Sequence, residues 1–190
     1  SIVSTIAMKS LYKADSAPVK AVMDKLFLHA IATAYLARAI AKKYNGEDED
    51  TIFLLGLTHD IGKVLLLHAM TLNLTAKGKF PEFKLDDIMA VIQTLHAGFG
   101  GAVFQRWGFD EILIKAVNTH EAPGISADSR NMVMILYLAN MLTRRIGFSM
   151  FEEPPPDLSD VLQLLSLNET DVAPILAEVQ EKVQATAGAI

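Results

Sequence analysis

The chain has 190 residues, with 22 acidic against 17 basic side chains, a net charge of −5 and no cysteine. The cysteine count excludes disulfides and thiolate metal sites, and the acidic balance without a basic stripe argues against nucleic acid as the main partner. With 51% apolar and 21% charged residues the chain is long and apolar enough to bury a substantial core, which excludes a disordered polymer. No secretory leader opens it and no uninterrupted apolar run reads as long enough to span a bilayer, so a cytoplasmic protein without a membrane partner is expected. It begins at Ser1 rather than at an initiator methionine, which reads as a trimmed chain.

Taken in order, Ser1 to Tyr12 reads as a short helix, and Asp15-Ser-Ala-Pro18 as a helix start. The next helix runs to about Tyr44 and stops at Asn45-Gly46. Its apolar stripe carries Val22, Leu26, His29, Thr33, Leu36 and Ile40, which puts His29 on the buried face. The segment from Thr51 to His68 is apolar on nearly every side and reads as one helix buried all round, introduced by the acidic run Glu47 to Asp50. Within it His59 shares a stripe with Ile52, Leu55, Gly62 and Leu66, and Asp60 with Phe53, Leu57, Val64 and Leu67. Thr71 to Phe83, with Gly78 and Pro81, reads as a loop or short helix. Asp86 and Asp87 start another helix, and Thr94 to Trp107 is one that contains His96 and three glycines.

Gly108 is a stop and Asp110 a cap for a helix from Glu111 to about His120, followed by a loop, Glu121-Ala-Pro-Gly124. Ser126 or Asp128 then caps a long helix through Asn140 that ends at Arg144-Arg145, before Gly147. After the break Glu152-Glu-Pro-Pro-Pro156 come two amphipathic pieces, about Ser159 to Leu165 and Glu169 to Ala185. No strand pattern and no internal repeat is visible. The fold class read from the pattern is all-α.

Four of the five histidines, His29, His59, His96 and His120, lie on apolar stripes of separate helices, as do Asp60 and Asn140. One histidine on such a face is ordinarily a core residue bonded to a backbone carbonyl. Four imidazoles and a carboxylate on inner faces need partners, and one shared metal site would supply them all. Imidazole nitrogen with carboxylate oxygen suits iron, manganese, zinc or nickel. Lys63, one turn after Asp60, reads either as a phosphate or carboxylate partner or as a solvated end residue. His68 reads as a helix-end residue, Phe104 and Trp107 as core, and Arg144 and Arg145 as complements to a helix dipole.

His-Asp-Ile-Gly-Lys at 59–63, preceded by Leu-Leu-Gly-Leu and by a helix with His29, resembles the HD superfamily of metal-dependent phosphohydrolases. Leu-His-Ala-Gly-Phe-Gly-Gly-Ala at 95–102, Arg-Trp-Gly-Phe at 106–109 and Ala-Val-Asn-Thr-His-Glu-Ala-Pro at 116–123 narrow this to a resemblance to its HDOD branch, the HD-related output domains of bacterial signalling proteins. The resemblance implies an HD-like helical bundle. It divides the chain into residues 1–15, the tail of a missing N-terminal helical portion; 16–148, the helical core; and 149–190, a C-terminal helical extension packed on that core. It also implies that His29, His59 and Asp60 sit at three metal-ligand positions, with Asn140 where HD enzymes carry an aspartate. His96 and His120 match positions that hold a second ion or contact phosphate.

Two readings follow. In the first the chain is a regulatory HDOD domain with a degenerate HD pocket, acting through a protein partner in signalling, with one ion, two ions or none. In the second it is a metal-dependent phosphohydrolase, a phosphodiesterase acting on a nucleotide or cyclic nucleotide, with Asp60 and Lys63 in its catalytic machinery. A weaker third reading is a sensor that binds a nucleotide or phosphate ligand without turnover.

Overall fold

The computed structural model describes residues 2–44, 47–78, 84–126, 130–150 and 156–187, and every regular element among them is helical. In chain order these are α1 (Ile2–Lys9), a 3-10 turn (Ser10–Tyr12), α2 (Ala17–Tyr44), α3 (Glu49–Thr58), α4 (Ile61–Ala76) and α5 (Leu85–Arg106). α6 (Glu111–Thr119), α7 (Asn131–Arg145), α8 (Ser159–Leu164) and α9 (Glu169–Ala187) complete the series.

α2 is the axis of the bundle, with α3, α7 and α9 packed around it. Its middle is rich in alanine, and Ala30, Ala32, Ala34, Ala37 and Ala41 are all fully buried. With no side chain beyond Cβ, these residues let neighbouring helices come close. The extreme case is Gly56 of α3, where an added Cβ would lie 2.7 Å from the Ala34 Cα. Such contact aligns α2 with α3, and so His29 with His59. On the far side α9 returns along α2, burying Val172, Val179 and Val183, with Lys43 and Asp171 paired at 2.9 Å.

The expected single helix from Thr51 to His68 is two. α3 ends at Thr58, His59 and Asp60 form a turn, and α4 starts at Ile61. Asp60 sits at φ −97°, ψ 15°, off the helical values. In an unbroken helix adjacent residues point about 100° apart; the turn relaxes that constraint and lets both side chains face one centre. α4 also runs on to Ala76, through the first six residues of the segment expected to be looser. The two helices expected between Asp86 and Trp107 are the single α5. α7 is capped at Arg130 rather than at Ser126, while Asp128, the Asn45-Gly46 stop and most of the Glu152–Pro156 break lie outside the described residues. Trp107 is 57% exposed, not core, whereas Phe104 is buried and stacks on Phe109 with ring centres 4.5 Å apart.

Two stretches, Glu49–Ala76 and Leu85–Arg106, are long and apolar enough by composition to cross a membrane, contrary to the reading of the sequence. The first is interrupted by the His59-Asp60 turn, and 67% of its apolar window is buried within this fold. Its hydrophobicity is accounted for by core packing.

α4 and α5 cross at glycines. A Cβ on Gly62 would fall 2.1 Å from the His96 carbonyl oxygen, and one on Gly100 would fall 3.6 Å from the Gly62 nitrogen. This close approach places the start of α4, with Asp60, directly against His96. Gly98, on the outer side of α5, meets nothing within 4 Å and plays no part in the crossing.

Candidate metal centre

The six residues singled out as ligands, His29, His59, Asp60, His96, His120 and Asn140, are all buried, and Lys63 is buried with them. They come from α2, the α3–α4 turn, α5, the end of α6 and α7. The His29 Nε2 and His59 Nε2 lie 3.3 Å apart and each is 3.6 Å from Asp60 Oδ2. On the other side of the same carboxylate, His96 Nε2 and His120 Nε2 lie 3.1 Å apart, at 3.4 and 3.2 Å from Asp60 Oδ1. Asp60 therefore bridges two pairs of imidazoles, one pair to each oxygen.

Backbone carbonyls hold every ring in the same tautomer. The Nδ1–H groups of His59, His96 and His120 each donate to the carbonyl three residues earlier, on Gly56, Gln93 and Val117, at 2.7, 2.8 and 2.7 Å. His29 Nδ1–H donates to Phe148 O at 2.6 Å. That carbonyl is brought round by Gly147, whose φ of +92° is the left-handed turn that glycine adopts freely. A carbonyl only accepts, so Nδ1 of each ring carries a proton, and the Nε2 of each ring that is neutral presents a lone pair inward. Two lone pairs at 3.1–3.3 Å repel unless a proton or a cation lies between or beside them. Imidazoles oriented through Nδ1 by backbone carbonyls, with Nε2 turned inward, are the arrangement metal sites use.

The charges are matched closely. Burial alone would push the Asp60 carboxyl up, but the Lys63 ammonium, 2.8 Å from Oδ2, and the His59 and His120 imidazoles hold it well below the ordinary carboxylate range. Its position at the N-terminus of α4 adds a favourable dipole. Burial pushes His29 down to about 4, and pushes His59 well below its usual value, so both are neutral near pH 7. Burial would lower His120 too, but the carboxylates of Asp60 and Glu121 hold it up to about 9. Asp60 Oδ1 and Asn140 Oδ1 are buried with no hydrogen-bond donor among the described residues. Two imidazole pairs, a bridging carboxylate and orphaned oxygens fit one or two divalent transition-metal ions. Asn140 Nδ2 makes only a long contact, 3.5 Å, to the His120 carbonyl.

Glu121 was missed from the sequence, where it read as loop. Its Oε1 lies 3.4 Å from both His96 Nε2 and His120 Nε2, and its Oε2 is ion-paired with Arg144. Arg144 therefore does more than complement a helix dipole. A usable signal existed: an acid just past the C-terminus of α6 opposes the helix dipole, so it needs a cationic partner. Lys63 is turned inward, its Nζ 3.7 Å from Glu121 Oε1. His68 lies within α4 rather than at its end, and bonds the Leu11 carbonyl at 2.7 Å, tying down the N-terminal segment.

An all-helical domain built around a histidine–aspartate centre able to hold metal is the class that fold and site define. The HDOD domain model matches residues 1–123, and the chain belongs to the HDOD family. An uncharacterised protein of Treponema pallidum (strain Nichols) is 29% identical over 153 residues, which are 75% of this chain and 29% of that protein. A crystal structure from Shewanella amazonensis SB2B, assigned as a metal-dependent phosphohydrolase, superposes with a TM-score of 0.75 at 18% identity. It covers 96% of this chain and 66% of its own, which establishes the likeness of fold. The chain thus spans under a third of the Treponema relative and about two thirds of the Shewanella one.

Proposed function

We propose that this chain is a regulatory HDOD domain of bacterial signalling, in which a metal-loaded histidine–aspartate centre fixes the helix arrangement that a partner protein reads. The observation that carries this is the closure of the centre. The side chains of His29, His59, Asp60, Lys63, His96 and His120 are at most 5% exposed. The cavity beside them, lined by His29, Lys63, Gln93, Arg144, Ser149 and Met150, measures about 10 Å³. That admits about one water, against the 300–1,000 Å³ of typical small-molecule pockets. A partner surface is supported by Val91, Leu95 and Phe99, exposed by 48%, 52% and 41% on one face of α5.

A second reading, a metal-dependent phosphohydrolase, draws support from Lys63 and Arg144 at that cavity. A divalent ion held by the imidazoles and Asp60 would supply a hydroxide nucleophile near neutral pH, and the two cations would meet the charge of a phosphoryl group. The two readings separate in one experiment. Purified protein is analysed for metal by elemental mass spectrometry, then assayed against a panel of phosphomonoesters, linear phosphodiesters and cyclic nucleotides with iron, manganese, zinc and nickel supplied. The regulatory reading expects bound metal and no turnover. Turnover that disappears in His59→Ala would overturn it in favour of the hydrolase.

A further inference from the structure

We propose that the first metal ion enters the sub-site formed by His96, His120, Asp60 Oδ1 and Glu121 Oε1, with Glu121 as its second carboxylate ligand and Arg144 as the residue that positions it. This rests on the metal-centre reading above and assigns an order of filling to the two halves.

Geometry favours this half. For four ligands at bond lengths of about 2.0–2.1 Å, a tetrahedral ion separates its donor atoms by about 3.3 Å. Five of the six donor separations here are 3.1, 3.2, 3.4, 3.4 and 3.4 Å. Four donors from three helical segments thus lie within 4.8 Å of one another, with five of their six separations close to those around a tetrahedral ion. The other half offers three such donors, at 3.3, 3.6 and 3.6 Å, and its fourth candidate, Asn140, is neutral.

Charge favours it as well. Asp60 Oδ2, the oxygen on the His29 and His59 side, already holds the Lys63 ammonium at 2.8 Å. An ion entering there must displace that cation or sit beside it. Asp60 Oδ1 has the His96 and His120 imidazoles beside it, at 3.4 and 3.2 Å, and Lys63 Nζ stands farther off on this side, 3.7 Å from Glu121 Oε1. Glu121 adds a second negative charge to this half alone. Arg144 binds Oε2, and this leaves Oε1 turned toward the two imidazoles, where Gln93 Nε2 also reaches it at 3.4 Å. Asn140 is neutral and Glu121 is charged, so the His96–His120 half is the more acidic one.

The test is a cobalt(II) titration of the metal-stripped full chain, read by visible absorption and by the dissociation constant of each equivalent. Circular dichroism checks the fold of every variant. In the wild type the first equivalent should show the intense absorption of tetrahedral cobalt. Glu121→Gln, isosteric and partly exposed, should weaken that equivalent by at least about tenfold and reduce its absorption, as should His96→Asn on a different helix. Glu121→Asp should restore part of both. His29→Asn removes no donor of this sub-site, although His29 shares Asp60 with it, so it should keep the first equivalent's tetrahedral absorption and weaken that equivalent less than Glu121→Gln does. Loss of the first equivalent in His29→Asn would overturn the assignment, whether or not Glu121→Gln also lost it. Failure of the wild type to bind any cobalt would overturn the metal-centre reading itself, a distinct result.

Discussion

Replacing Gly62 by alanine tests the contact that brings the two halves of the centre together. The added Cβ would lie 2.1 Å from the His96 carbonyl oxygen and 3.0 Å from the Gly100 nitrogen, both backbone atoms of α5. Ordinary contact begins at 3.4 Å, so α4 and α5 must separate by roughly 1.3 Å. No rotamer change can relieve a clash with main chain. Overpacking a core costs about 1–3 kcal/mol, and the better helix propensity of alanine offsets about 1 kcal/mol. With rigid backbone on both sides the upper end applies, and a net loss of about 2 kcal/mol is expected. For a chain of this length that lowers the Tm by about 4–8 °C. Gly98→Ala on the same helix meets nothing within 4 Å and should gain about 0.5–1 kcal/mol. Urea unfolding followed by circular dichroism measures both. Gly62→Ala should also weaken metal binding, because the shift carries His96 away from Asp60. If Gly62→Ala proved as stable as the wild type, or if the two variants behaved alike, the close-crossing argument would fail.

Three further outcomes follow from the charges in the centre. His120 is held up to about 9, so in the metal-free protein its contribution to stability is full below about pH 6.5 and is lost as pH rises through 9. A metal taking His120 Nε2 must expel that proton. Calorimetric titration at pH 7 in two buffers of different ionisation enthalpy should report about one proton released per ion at that sub-site, and zero release would refute the assignment of charge. Asn140→Asp puts a carboxylate at the position the family resemblance gives as a ligand, at the loss of only a 3.5 Å contact to the His120 carbonyl; affinity for a second ion should rise by about tenfold or more, and an unchanged second equivalent would place residue 140 outside the shell. Lys63→Met leaves Asp60 buried without its ammonium partner, which should cost about 3–5 kcal/mol in metal-free protein. Added metal should restore much of it by binding the native state, whereas a thermal shift no larger than that of the wild type would show that Lys63 and the ion do not share the carboxylate.

Much of this molecule is legible without coordinates. Helical periodicity with no alternating pattern defines the all-α class. The same periodicity puts His29, His59, Asp60, His96, His120 and Asn140 on inward faces, where all are buried. Even the ring orientation is mostly local, since three of the four histidines bond the carbonyl three residues back. Periodicity states which face is buried but not what it is buried against. The turn at His59-Asp60 cannot be read from a run that is apolar on both sides of it; packing of α3 on α2 and of α4 on α5 decides where one helix stops. Lys63 turns inward because Asp60, its 2.8 Å partner, is itself buried, and Glu121 joins them at 3.7 Å from another segment. The role of Glu121 depends in turn on Arg144 of α7. Charges on separate helices interact according to distance, and distance between helices is set by the close crossings at Gly56 and Gly62. The inward-facing histidines and Asp60 are therefore legible in local pattern, while their division into two groups around one carboxylate, with Glu121 in one of them, is a property of how the helices pack.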